Sequence, residues 1–110
     1  MKKILIILML CLPFCGCGNK EKTLEELMKE NEYIIVDVRS VAEYNQAHLV
    51  DAINIPYDEL EVSDNLDKNK LILVYCMSGT RSKIAYNTLT ELGYDVYDLG
   101  AYADITLPKE

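Results

Sequence analysis

Cys76 stands in a sequence context that suits nucleophilic chemistry, between an apolar run at residues 71–75 and a polar segment that opens a helical pattern. In parallel α/β sheets, ligands bind at the carboxyl ends of the strands, so we expect the thiol at that edge. Gly79 permits a tight turn whose backbone N–H groups can point at the sulfur. The helix N-terminus and the cation of Arg81 add positive charge, and both favour the thiolate. The predicted substrate-binding residues are Met77, Ser78, Gly79, Thr80, Arg81 and Ser82.

The chain has only two arginines, Arg39 and Arg81, and each follows a predicted strand. Arg81 belongs to the segment around Cys76, and we expect it to hold an anionic substrate through its planar fork of donors. Arg39 lies close in sequence to Asp37 and Glu43, which favours a structural ion pair. Arg39, Asp37 and Glu43 are therefore predicted to support the site rather than to react.

His48 is the only histidine in the chain. One interpretation is that His48 forms a catalytic pair with Cys76. The preferred interpretation is that His48 is a structural residue beside a strand. A metal site is not expected, because one histidine and one cysteine cannot complete a tetrahedral set of ligands.

The N-terminal residues have the layout of an export signal, with Lys2 and Lys3 followed by a short apolar run that ends before Gly16 and Cys17. That run is too short to span a bilayer. The residues around Cys17 resemble the lipobox of bacterial lipoproteins, although Phe14 stands where leucine is usual. We therefore expect a lipoprotein signal peptide at 1–16, a lipidated Cys17 with a polar leash at 17–22, and one folded domain at 23–110. An ordinary cleaved signal that releases a secreted protein is the alternative.

The formal charge is −7, and every acidic residue follows residue 20. Such a chain repels nucleic acid and anionic headgroups, so membrane attachment would depend on lipid at the bacterial cell envelope. Strands alternate with helices and the strands are apolar throughout, which predicts an α/β domain with a mostly parallel sheet and helices on both faces. Strands are predicted at 33–38, 52–55, 71–75 and 95–99, and helices begin after caps at Thr23 and Ser40. A further helix follows a six-residue turn after Cys76 and ends at Gly93. Residues 57–69 are predicted as a loop with one helical turn, and residues 100–110 as a short tail.

The motif Cys76-x-x-Gly79-x-Arg81-Ser82 resembles the active-site loop of rhodanese-like sulfurtransferases. Three other segments resemble signatures of that family in the same order: 37–39, 43–44 and 48–56. The chain departs from the family at Ala47, Asp51 and Ala101, where glycine is usual, and at Ile105, where tryptophan is usual. The missing tryptophan and the short tail leave a final helix in question.

The resemblance implies a sulfurtransferase in which Cys76 takes sulfane sulfur from thiosulfate or a similar anion. The persulfide then passes its sulfur to cyanide, a small thiol or a redox protein. In this family the position of His48 is structural and no cofactor is needed. We expect a monomer.

Two other functions are open. A phosphatase of related fold has a longer loop than the four residues between Cys76 and Arg81. A non-catalytic sulfide-sensing or binding module would commonly lack the cysteine.

Overall fold

The computed structural model describes residues 22–62 and 66–110. The chain divides into a unit that ends at Glu30 and a second unit, Asn31–Glu110. In the first unit, helix α1 spans Leu24–Glu30, and Thr23 forms the predicted capping box with Glu26. The predicted signal peptide and Cys17 lie outside the described residues. No helix in the described part of the chain is long and apolar enough to cross a membrane.

The second unit is built on a four-stranded, fully parallel sheet in the order β2-β1-β3-β4. The strands are β1 (Tyr33–Asp37), β2 (Ile53–Asn54), β3 (Leu71–Cys76) and β4 (Asp95–Ala101). All six residues of β3 are buried, as the apolar run predicts for a central strand. Because the strands are parallel, Asp37, Cys76 and Ala101 end at one edge of the sheet. The predicted α/β fold is confirmed.

The side chains of β3 alternate between the two faces of the sheet, and all of them are buried, so both faces are covered. Ile72, Val74 and Cys76 belong to one core cluster with Ala85 and Leu89. These last two residues lie on helix α3, which spans Thr80–Glu91. On the other face Tyr75 is fully buried beneath the segment at 48–52 and the C-terminal tail.

Helix α3 begins earlier than the sequence predicted. It starts at Thr80, so the expected six-residue turn after Cys76 shrinks to residues 77–79. Gly79 is its N-cap, with a left-handed backbone at φ +97° that favours glycine. The first turn of α3 directs backbone amides inward rather than apolar side chains. Its residues therefore lack the hydrophobic periodicity that would have predicted this start. Gly93 follows the helix with φ +98°, as predicted for its end.

The predicted bounds of the outer elements need correction. Strand β1 ends at Asp37, β2 retains only two paired residues, and β4 extends to Ala101 through a bulge at Leu99. The tail is more than a loop, because it contains a 3₁₀ helix, Tyr102–Asp104, and Lys109 forms an antiparallel bridge with Leu49. The helical turn expected in the segment after Pro56 is present as a second 3₁₀ helix, Tyr57–Val62.

The departures from glycine are accommodated by the backbone. Ala47 has extended geometry, with φ −172°, which any residue adopts. Asp51 has φ +70°, and aspartate is among the residues that tolerate this left-handed region best. Ala101 also has ordinary extended geometry. Ile105 is buried and fills the position where the family usually has tryptophan.

Candidate active site

The sulfur of Cys76 lies within the turn that joins β3 to α3. The backbone N–H of Gly79 donates to Sγ at 3.0 Å, and the N–H of Ser82 donates at 3.2 Å. Two amides can converge on one atom because the left-handed Gly79 reverses the chain and Ser82 lies in the first turn of α3. The arrangement solvates a sulfur anion with backbone donors.

The pKa of the Cys76 thiol reflects two opposing effects. Burial favours the neutral thiol, since the residue has no exposed surface. The hydrogen bonds from Ser82, Gly79 and Ser78 favour the thiolate and prevail, so the pKa of Cys76 is lowered from its usual value. The hydrogen bonds therefore shift the balance towards the thiolate, which is the nucleophilic form of cysteine.

The remaining loop residues differ in exposure. Met77, Ser78 and Thr80 are exposed, whereas Ser82 is buried and its hydroxyl donates to the carbonyl of Gly79 at 3.1 Å. The hydroxyl of Ser82 thus closes the turn.

Arg81 is paired with Glu43, a contact that the sequence analysis did not anticipate. Nη1 and Nη2 of Arg81 donate to the two carboxylate oxygens of Glu43 at 2.8 and 3.1 Å. Glu43 had been assigned to Arg39 by proximity in sequence, which was wrong. The hydrogen bonds from Arg81, with those from Ser40, lower the pKa of Glu43 to about 2. The charge of Arg81 is therefore largely balanced before any substrate binds.

Glu43 also belongs to helix α2, Val41–Gln46, which begins with the predicted cap at Ser40. The Ser40 side chain accepts from the Glu43 N–H, and the Ser40 N–H donates back to the Glu43 carboxylate at 3.0 Å. One carboxylate thus fixes the start of α2 and holds the guanidinium at the start of α3.

Arg39 lies in a buried ionic network with Asp37, and both residues are almost fully inaccessible to solvent. Its Nε and Nη2 donate to the carboxylate of Asp37 at 2.6 to 3.0 Å, and Nη2 also donates to the carbonyl of Ala47 at 2.6 Å. The guanidinium also lies near the stacked rings of Tyr75 and Tyr102, 5.4 and 4.7 Å from their centroids. These contacts tie β1 to its neighbours, which agrees with the structural role predicted for the pair.

Tyr75 is a supporting residue that the sequence analysis missed. Its hydroxyl donates to Asp37 at 2.8 Å and accepts from the N–H of Leu49 at 3.0 Å. Burial and the neighbouring carboxylate raise the pKa of this phenol well above its usual range. The available signal was a single tyrosine near the end of an otherwise aliphatic run, but no local feature indicates its partners.

His48 lies beside α2. Its ring stacks on Tyr44 with centroids 3.9 Å apart, and its nitrogens lie 2.8 Å from the carbonyl of Tyr44 and 3.2 Å from the carboxylate of Glu110. Both ring nitrogens thus have partners away from the turn that holds Cys76. Among residues 22–62 and 66–110, no three His, Cys, Asp or Glu side chains are grouped to hold a metal ion.

Comparison with known proteins agrees with this fold. Residues 20–105 match the model of the rhodanese-like domain. Thiosulfate sulfurtransferase PspE of Escherichia coli is 40% identical over 78 residues, which cover 67% of this chain and 75% of that protein. Thiosulfate sulfurtransferase GlpE of Coxiella burnetii is 37% identical over 76 residues, which cover 67% and 71%.

Solved structures give the same result. A rhodanese with anions from E. coli superposes with a TM-score of 0.66 at 38% identity, covering 71% of this chain and 96% of that one. A rhodanese-related protein from Thermoplasma volcanium superposes with a TM-score of 0.67 at 29% identity, covering 79% and 90%. The chain belongs to the rhodanese family, a family of sulfurtransferases.

Proposed function

We propose that the protein is a thiosulfate:acceptor sulfurtransferase that works through a persulfide on Cys76. In the first step the thiolate attacks the outer sulfur of thiosulfate. A bond forms between the two sulfurs, the bond from the outer sulfur to the sulfonate sulfur breaks, and its electron pair leaves with sulfite. The charge of the attacking sulfur moves to the terminal sulfur of the persulfide.

The observation that carries this proposal is the pair of amides, from Gly79 and Ser82, that converge on Sγ. They lower the pKa of the attacking thiol. Amides fixed in this way can also follow the negative charge as it moves outward by one sulfur, which is how preorganised donors stabilise developing charge. A cofactor has no step to perform in this scheme.

In the second step an acceptor attacks the terminal sulfur. The S–S bond breaks and its electron pair returns to Cys76 as the thiolate. Cyanide leaves as thiocyanate, and a thiolate leaves as a persulfide once the terminal sulfur is protonated. A small thiol or a redox protein would serve as the acceptor in the cell.

The test is sulfur loading. After treatment with thiosulfate, the peptide that contains Cys76 should gain the mass of one sulfur atom and lose it to cyanide with release of thiocyanate. Cys76→Ser should abolish both results, and the control variant Thr90→Ala, at an exposed position near the end of α3, should retain them. Hydrolysis of an aryl phosphate without loading would favour the phosphatase, and the absence of both activities would favour a binding module.

We also propose that the protein is exported and held at the bacterial membrane by lipid on Cys17, as the sequence around Gly16 and Cys17 suggests. Cys17→Ser should release the protein from the membrane fraction. Retention of the variant in membranes, together with an unmodified Cys17 in the wild type by mass spectrometry, would contradict the anchor.

A further inference from the structure

A cleft of about 330 Å³ is lined by Arg81, which stands in the first turn of α3, five residues after Cys76. The charges of Arg81 and Cys76 interact, which relates the cleft to the sulfur site. The other walls come from the start of α2 and from the 3₁₀ helix Tyr57–Val62. The residues that line the cleft include Val41, Pro56, Tyr57, Asp58, Glu59 and Arg81. A volume of this size accommodates a small molecule.

The positive charges of the cleft are already balanced. Arg39 also lines it, but Asp37 pairs with its guanidinium. Arg81 is held by both carboxylate oxygens of Glu43. Neither arginine therefore offers an unbalanced cation to a ligand in the cleft.

Two negative charges of the cleft are not balanced. Asp58 and Glu59 are exposed and stand in the first turn of the 3₁₀ helix. Within residues 22–62 and 66–110, no lysine, arginine or histidine forms an ion pair with either carboxylate. The cleft therefore has a net negative lining next to a site that handles sulfur anions.

We propose that this cleft binds the sulfur acceptor and selects a small thiol that carries an ammonium group. The ammonium lies against Asp58 and Glu59, and its short hydrocarbon packs on Val41, Pro56 and Tyr57. The thiolate then attacks the terminal sulfur of the Cys76 persulfide and leaves as an amine-bearing persulfide. This inference rests on the proposed function. It also separates the two substrates, since the anionic donor meets the loop amides and the cationic acceptor meets the carboxylates.

The first experiment compares acceptors that differ only in charge. Cysteamine, 2-mercaptoethanol and 3-mercaptopropionate are assayed as acceptors on protein loaded with thiosulfate. The ratio of kcat/KM for cysteamine to that for 2-mercaptoethanol should fall by about two- to fivefold for each of Asp58→Asn and Glu59→Gln, the scale of an exposed ion pair. The anionic thiol should improve in the same variants. Differences in intrinsic thiol reactivity cancel, because each ratio is compared with its wild-type value.

The matched control is Glu61→Gln. Glu61 is exposed on the same 3₁₀ helix and is not among the residues that line the cleft. It removes one negative charge from the protein, so a general effect of net charge would appear here as well. Equal shifts in Glu61→Gln and Glu59→Gln would overturn the assignment, as would unchanged ratios in the cleft variants.

A second experiment does not depend on sulfur transfer. The Cys76 thiolate is allowed to react with cystamine or with bis(2-hydroxyethyl) disulfide, and the mixed disulfide on the Cys76 peptide is followed by mass spectrometry. The preference for cystamine should decrease in Asp58→Asn and Glu59→Gln but not in Glu61→Gln. If thiosulfate never loads Cys76, the proposed function fails. The rates of mixed-disulfide formation then test by themselves whether the cleft selects an ammonium group. Rates that do not respond to Asp58 and Glu59 overturn it even where loading succeeds.

Discussion

Replacing Arg39 with lysine should destabilise the fold far more than the same replacement at Arg81. The side chain of Arg39 is 2% exposed and donates three hydrogen bonds to Asp37 and one to Ala47. Lysine keeps the charge but lacks the planar fork, and it loses the contacts of the guanidinium with the rings of Tyr75 and Tyr102. The carboxylate of Asp37 is then buried with incomplete partners.

The magnitude follows from these contacts. Breaking a buried ion pair costs about 3–5 kcal/mol, and the charge that lysine retains places Arg39→Lys near 3 kcal/mol. For a domain of this size each kcal/mol lowers Tm by about 4–8 °C, so we expect a loss of about 12–24 °C. Arg81 and Glu43 are 29% and 28% exposed, so Arg81→Lys should cost about 1 kcal/mol or less. It should instead slow turnover, since it loosens the cation next to the sulfur.

Thermal unfolding followed by circular dichroism, together with thiocyanate formation at a temperature where both variants are folded, separates the two effects. Arg39→Lys should retain most of its turnover per folded molecule. A larger drop in Tm for Arg81→Lys than for Arg39→Lys would refute the reasoning. So would a normal turnover in Arg81→Lys combined with a slow one in Arg39→Lys.

Three further substitutions and conditions test the site. Gly79→Ala should lower the free energy of unfolding by about 1–2 kcal/mol, because alanine disfavours a backbone at φ +97°. The substitution should also displace a donor to Sγ, so the pH midpoint of Cys76 alkylation by iodoacetamide should rise. Tyr75→Phe should lower the urea-unfolding free energy by about 1–3 kcal/mol, because the buried N–H of Leu49 loses its acceptor, and a change near zero would show that water replaces the hydroxyl. The folded-state pKa of Glu43 is lowered to about 2, so its contribution to stability is complete above the unfolded pKa and disappears as pH falls towards 2. Over that pH range, the free energy of unfolding of the wild type should fall by about 1 kcal/mol more than that of Glu43→Gln. The same pH dependence of stability in both proteins would argue against the Arg81 pairing.

The strands were predictable because each one carries a local signal. Residues 71–75 form an uninterrupted apolar run, and a strand buried on both faces requires such a run. The capping boxes at Thr23 and Ser40 are equally local, since their partners lie three residues away. The bounds of β2 were less predictable, because Ala52 and Ile55 are buried by tertiary packing without extending the strand ladder.

The contacts that organise the site were not predictable in the same way. Glu43 and Arg81 are 38 residues apart, and so are Asp37 and Tyr75. Nothing in the local sequence relates such positions, so nearest neighbours in the chain suggested the wrong partner for Glu43. The segment around Cys76 was easier, because the donors to its sulfur lie three and six residues downstream.

The use of backbone rather than side-chain charge at Cys76 has a consequence for the reaction. A cation in direct contact with the sulfur would hold thiosulfate and sulfite alike and would slow the release of product. Amides from Gly79 and Ser82 stabilise whichever sulfur carries the charge, while Glu43 balances the cation of Arg81. In the proposed transfer, the site therefore stabilises the negative charge as it moves between the sulfurs. It binds the dianions thiosulfate and sulfite only weakly. In the proposed reaction, the same balance would limit the attraction of a second anion to the neighbouring cleft and would leave the cleft to a cationic acceptor.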